Sequence, residues 1–226
     1  GNIGGPYADT VTLDTEAPTL TLSDLPEEYT NADSLSVSVT LSETADLLKT
    51  GTCGPGSFPD QGTGPLALGS LAEGTYSDCA LKATDAAGNE AGVQTIRTFT
   101  VDRTAPASPT LTLDGGAAQT DMENITAALS ASDSGGIEEY CVKETAAPAT
   151  PAESDTCWKS AANATSFSRS ESFALSDGFH TKNLRAWFRD RAGNVSGADD
   201  SIQRVDPNRA PLVGFENALV FNGNAD

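Results

Sequence analysis

The chain has 226 residues, with 13 Lys and Arg against 32 Asp and Glu, and a formal net charge of −19. That excess would repel a phosphate backbone, which argues against direct nucleic-acid binding. No apolar run approaches the roughly 18 residues of a membrane span, and one His and one Met leave little for imidazole catalysis or a Met-rich groove.

The elements are predicted in chain order. The opening GNIGGPYADT lacks the basic and apolar regions of a signal peptide. Residues 1–13 read as the last strand of a preceding unit, with Tyr7, Val11 and Leu13 available for packing. Asp14-Thr-Glu-Ala-Pro18 is a linker that opens a first repeat, 14–101. Leu20 and Leu22 mark its first strand. Leu35, Val37, Val39 and Leu41 alternate with Ser and Thr in the two-residue period of a half-buried strand. Thr44–Lys49 is the one stretch with a helical alternative. Cys79, Leu81 and Ala83 lead into Asp85-Ala-Ala-Gly-Asn89, and a short strand then ends at Val101-Asp102.

The same order recurs in a second repeat, 102–205. Asp102-Arg-Thr-Ala-Pro106 is its linker, and Leu111, Leu113 and then Ile125, Ala127, Leu129 and Ala131 alternate as before. Leu184, Ala186 and Phe188 lead into Asp190-Arg-Ala-Gly-Asn194, 105 residues after the first copy of the motif. Residues 206–226, rich in Leu, Val and Phe, begin a further strand-bearing unit. Self-similarity at this period indicates tandem domains. About seven short strands per repeat, with Gly, Pro and Asp turn signals between them, suit an all-β, two-sheet sandwich.

The four cysteines fall two to each repeat, with no CxxC and a single His, which disfavours a zinc site. They read as disulfides Cys53–Cys79 and Cys141–Cys157, and hence as an oxidising compartment. Four reduced thiols, or another of the three connectivities, remain the alternatives.

Gly74-Thr75-Tyr76, Asp85–Asn89 and Phe99–Pro106, with Asp190–Asn194 and Cys157-Trp158 in the second repeat, resemble the bacterial immunoglobulin-like (Big-type) tandem repeats of large cell-surface adhesins. The resemblance implies immunoglobulin-like sandwiches with Greek-key connections, an extracellular or cell-surface location and no catalysis. It also implies that Cys53 follows strand C and Cys79 lies on strand F. The disulfides are then loop staples, not the inter-sheet bridge of antibody domains.

In that topology Asp85 and Asn89 approach Asp14, Glu43 and Asp46, and Asp190 and Asn194 approach Asp102 and Asp133. Carboxylates, an Asn amide and carbonyls are hard oxygen ligands suited to calcium at domain junctions. The competing reading is a plain turn, with Asp accepting backbone N–H bonds, Gly at positive φ and Asn tolerating the left-handed region. Arg185, Trp187 and Arg189 alternate against Leu184, Ala186 and Phe188. If the latter face the core, the former lie on an exposed face, where a Trp between two Arg can stack on a sugar or a protein; the competing reading packs Trp187 under the long C–C′ loop or against a neighbouring chain.

Other residues read blandly. His180 lacks a ligand partner, no G-x-S-x-G occurs, and Glu27-Glu28 and Glu138-Glu139 would need a cleft to act on a glycoside. The Asn124, Asn163 and Asn194 glycosylation patterns are discounted in a bacterial-looking chain. No catalytic residue is assigned.

The expected role is a non-catalytic stalk segment that extends and spaces a surface protein. Its partners would be neighbouring immunoglobulin-like domains, with a host-cell or matrix glycan or protein as target of the parent. The alternatives are a carbohydrate- or protein-binding module, an accessory region of a hydrolase, or a filament subunit assembling by strand addition through residues 1–13.

Overall fold

The computed structural model describes residues 13–145, 147 and 149–208. The expected strand over 1–12 and the expected strands over 209–226 lie outside the described residues. The chain divides into two compact units, Gly1–Ala105 with Arg191–Asn194, and Pro106–Asp190 with Val195–Asp226.

Unit 1 contains β1 (Leu20–Ser23), β2 (Tyr29–Thr30), β3 (Leu35–Leu41), β4 (Ala45–Thr50), β5 (Gly56–Gln61), β6 (Gly64–Gly69), β7 (Gly74–Tyr76), β8 (Ala80–Thr84), β9 (Gln94–Thr95) and β10 (Phe99–Val101). One sheet runs β1-β3-β6, a second runs β5-β4-β8-β9, and a short third runs β2-β10-β7. The core collects the inward positions of all three. Val37, Val39 and Leu41 meet Leu66 and Leu68 from the first, Leu47, Leu81 and Ala83 from the second, and Tyr76, Phe99 and Val101 from the third. Tyr76 and Phe99 stack with ring centroids 5.1 Å apart. The Thr44–Lys49 stretch is not helical. Ala45, Leu47 and Lys49 are buried and alternate with exposed Asp46, Leu48 and Thr50, and a two-residue period can only be satisfied by a strand, β4.

Unit 2 contains β11 (Ala107–Leu113), β12 (Gln119–Thr120), β13 (Asn124–Glu144), β14 (Lys159–Ala174), β15 (Thr181–Asp190) and β16 (Val195–Arg204). They form one hydrogen-bonded system, in the order β11-β13-β15-β16-β12, with β14 along β13. The first half of β13 pairs with β11 and with the second half of β14. Its second half pairs with β15 and with the start of β14. Two register shifts, between Ser132 and Glu139, turn the strand from one layer into the other. The buried positions change from Ile125, Ala127, Leu129 and Ala131 to Tyr140 and Val142. That is a change of parity, as extra residues in a ladder require.

The bend explains why the described residues of unit 2 form fewer and longer strands than expected. The Gly135-Gly136 signal reads as a chain break, whereas the backbone stays paired through it. Gly136 has φ +95°, and a Cβ there would lie 2.6 Å from the carbonyl oxygen of Asn163. Glycine is therefore required both for the conformation and for the approach of β14.

Candidate functional site

Both expected disulfides form. Cys53–Cys79 joins the turn after β4 to the residue just ahead of β8, with Cα atoms 5.3 Å apart. Cys141–Cys157 joins β13 to the residue shortly before β14, with Cα atoms 5.1 Å apart. Their sequence separations are 26 and 16 residues. Each ties neighbouring strands of one sheet through a loop. Around the second staple, Lys143 and Asp155 form an ion pair and the Cys157 amide donates to Asp155 Oδ1 at 3.1 Å. These contacts, the Lys143 side chain first, hold the Asp155 carboxyl below its ordinary value.

The first acidic motif closes a turn. Asn89 donates to Asp85 twice, from its backbone N–H to Oδ1 and from its side-chain Nδ2 to Oδ2, both at 2.8 Å. The side-chain bond is the largest cause of an Asp85 carboxyl held below its ordinary value. The Asn89 amide also reaches the Asp14 carbonyl at 3.3 Å. In the second motif the Asn194 amide donates to the Asp102 carbonyl at 2.9 Å. In both copies, then, the Asn bonds the carbonyl of the linker Asp, and in the first copy Asp85 orients that Asn.

The same turn gathers charge. Carboxylate oxygens of Asp14, Glu43 and Asp85 all lie within 4.8 Å of one another. Desolvation, then the negative charges of Asp14, Asp85 and Glu16, push the Glu43 carboxyl above its ordinary value. A donor set of three hard carboxylate oxygens, one of them disfavoured as an anion by its neighbours, is chemically suited to a cation. Asp46, expected in this group, is not part of it. Its side chain points across the strand edge and accepts the Asp60 amide at 2.9 Å. In unit 2, carboxylate oxygens of the buried Asp133 and Asp190 also approach within 4.8 Å. Asp133 accepts the Gly135 and Gly136 amides at 2.8 and 3.0 Å, which braces the β13 bend. Asp102 is half-buried.

The expected Arg185-Trp187-Arg189 surface is corrected. Trp187 does face away from Phe188, but it is only 2% exposed. It stands opposite Cys141 on β13 and Gly197 on β16. A Cβ at Gly197 would lie 3.1 Å from the Arg185 guanidinium, so the glycine lets Arg185 fold across the sheet. There Arg185 sits 5.6 Å from the Trp187 ring, held by Asp199 at 2.6 Å. Arg189 pairs with Glu139 and lies 4.5 Å over the Trp158 ring. Both arginines are committed to covering tryptophans, and neither Trp187 nor the pair around it is free to stack on a ligand. Glu27, Glu28 and Glu139 are likewise engaged with arginines, and Glu138 is exposed.

The sequence reading missed Lys182. It has no exposed surface, and its ammonium donates to Ser176 Oγ at 2.7 Å and to the Asp177 carbonyl at 2.9 Å. The Glu144 carboxylate is 3.5 Å away and also accepts from Ser176. Desolvation raises the Glu144 carboxyl, but the Ser176 bonds and the Lys182 charge outweigh it and leave it below its ordinary value. His180 lies 3.3 Å from the same ammonium. The group ties the Ser176–His180 loop to β13 and β15.

No protein-family model matches this chain, and no curated protein matches it. Among solved structures it is similar to one described as structural insight into host cell surface retention of a 1.5-MDa bacterial ice-binding adhesin, at 16% identity and a TM-score of 0.39. That match covers 83% of this chain and 64% of the other. A second is a tetra-tandem repeat in the extending region of a large adhesion protein, at 16% identity and a TM-score of 0.31, covering 82% and 49%. The chain therefore spans less than two thirds of the length of either. No helix among the described residues is long and apolar enough to cross a membrane.

Proposed function

We propose that the chain is a non-catalytic spacer segment of an extracellular bacterial adhesin, built from tandem immunoglobulin-like repeats at 14–101 and 102–205. Its work is to extend the parent and hold an adhesive part, directed at a host-cell or matrix glycan or protein, away from the cell surface. The observation that carries the reading is the pairing in each unit of a separate sandwich core with its own disulfide staple. Such a unit is stable without a partner and suits an oxidising exterior. The side chains best placed for chemistry are all spent on structure: Lys182 on a loop, Trp187 on the core edge, Asp85 on a turn.

Calcium at Asp14, Glu43 and Asp85 is part of the proposal, as are Asp102, Asp133, Asp190, Asn89 and Asn194 as ligands or ligand-orienting groups. The ion would neutralise crowded carboxylates and stiffen the linker turns. Two measurements test the reading. Thermal unfolding in chelator and in millimolar calcium is expected to show a higher midpoint with the ion, since a ligand that binds only the folded state stabilises it; superimposable curves would remove calcium. Deleting 14–205 from the parent is expected to preserve ligand binding by the purified protein but shorten its reach on cells. Loss of binding by the purified deletion variant would instead make this segment the binding module.

A further inference from the structure

In each unit a strand near its start lies parallel to the last strand among its described residues. β2 pairs with β10 in unit 1, and β12 pairs with β16 in unit 2. Among the described residues the other strand pairs in both units are antiparallel. When the chain is pulled from its two ends, tension reaches one strand of such a pair from ahead of it and leaves the other from behind it. The two strands are then dragged in opposite directions along their common axis. Every hydrogen bond of the seam is stretched at once, whereas an antiparallel pair pulled open from one end loses its bonds one at a time.

The unit 1 seam is longer than its two strands. Four carbonyls at alternate residues accept bonds from the closing strand and its flanks. Pro26 accepts from Arg97 Nε at 2.6 Å, and Glu28 from the Thr100 amide at 2.8 Å. Thr30 accepts from the Asp102 amide at 2.9 Å, and Ala32 from Arg103 Nη2 at 2.7 Å. Arg97 also pairs with Glu27 at 3.2 Å. Two arginine side chains thus continue the backbone ladder beyond β2 at both ends. Among the described residues unit 2 repeats only the backbone part, with the Gln203 amide on the Ala118 carbonyl at 3.1 Å and the Val205 amide on the Thr120 carbonyl at 2.8 Å.

From this we infer that the parallel seams are mechanical clamps that set the force at which each unit gives way, and that the arginine-extended seam makes unit 1 the stronger. The inference rests on the spacer reading for its biological use but not for its physics. Forced unfolding is governed by the barrier to breaking the native contacts, not by overall stability. The disulfides then limit what a failure releases, since the chain between paired cysteines stays closed. Their loops of 26 and 16 residues also label the two units.

The experiment is single-molecule stretching of the chain held at its two ends, with and without reductant. Reduction is expected to lengthen one unfolding step by about 90 Å and the other by about 55 Å, at roughly 3.4 Å per residue freed, which identifies unit 1 and unit 2. In the oxidised wild type the unit 2 step is expected first and at lower force. R97A/R103A is expected to bring the unit 1 force down to that of unit 2 and to leave the unit 2 step unmoved. Unit 1 yielding first in the wild type would overturn the inference, whatever the variant does. So would a folded R97A/R103A chain whose unit 1 force is unchanged. A segment that bears no load in its parent would leave these forces as they are, so failure of the spacer reading and failure of the clamp are separate results.

Discussion

At the scale of single residues, unit 2 depends on polar groups placed where the alternation calls for apolar ones. Lys182 is in phase with Leu184, Ala186 and Phe188, and this could have been read from the sequence: a lysine on the inward parity of a strand either ends the strand or finds partners. Its partners, Ser176, the Asp177 carbonyl and Glu144, come from a loop and from another strand. No local pattern announces them. Lys182→Ala is expected to cost about 3 kcal/mol, because it leaves Glu144 without its cation and the loop without its anchor. Lys182→Met should cost less, since it keeps the packed stem. Urea unfolding of the two variants checks this, and equal losses would assign the effect to the lost ammonium alone, with nothing from packing. Tyr140 gives a pH signature. Burial first, then its bond to Glu171 at 2.9 Å, pushes its hydroxyl up from 10.0 to about 12. The folded state therefore holds the proton more tightly than the unfolded chain does. The corresponding stability is complete below pH 10 and is lost as the pH rises from 10 to 12. Tyr140→Phe is expected to flatten that part of the stability profile relative to the wild type. An unchanged alkaline limb would mean that other groups set it.

At the scale of elements, the strands whose two faces differ in polarity were legible, and the connections between them were less so. The apolar parity of β3 and β15 and the two disulfides follow from the sequence, because alternation and cysteine spacing are local. The single long β13 was not legible. Gly135-Gly136 gives the same local signal whether the chain breaks or bends, and only its pairing with β14 distinguishes the two. Trp187 failed for a related reason. Its parity was read correctly, but the Cys141 side of β13 and the Gly197 on β16 that lets Arg185 fold over the ring both come from other strands. The staples themselves carry a prediction. In the chain-entropy account, closing loops of 16 and 26 residues stabilises the fold by about 3 and 3.5 kcal/mol. Cys141→Ser with Cys157→Ser, and separately Cys53→Ser with Cys79→Ser, are expected to lower the unfolding midpoints of units 2 and 1 respectively. Calorimetry would show whether each loss stays within its own unit; a loss shared equally by both would show that the two unfold as one.

At the scale of the whole molecule, a charge of −19 on 226 residues opposes compaction everywhere, and the crowding around Glu43 is its sharpest local form. General repulsion and a cation site respond to ions differently. Repulsion between exposed carboxylates is screened by any salt, as the Debye length falls from about 30 Å at 0.01 M to about 8 Å at 0.15 M. The unfolding midpoint is therefore expected to rise with sodium chloride over that range. A site at Asp14, Glu43 and Asp85 requires more. Millimolar calcium, added on top of 0.15 M sodium chloride where its contribution to screening is small, should raise the midpoint again, and the same concentration of magnesium should do less, because magnesium gives up its water reluctantly. Glu43→Gln separates the two effects. It removes the charge that its neighbours disfavour, so the variant is expected to be more stable than the wild type in chelator. It also removes a donor, so the calcium increment should shrink. A variant that gains stability in chelator but keeps the full increment would place the cation elsewhere, and one that gains nothing would show that screening by solvent already relieves the crowding at this turn.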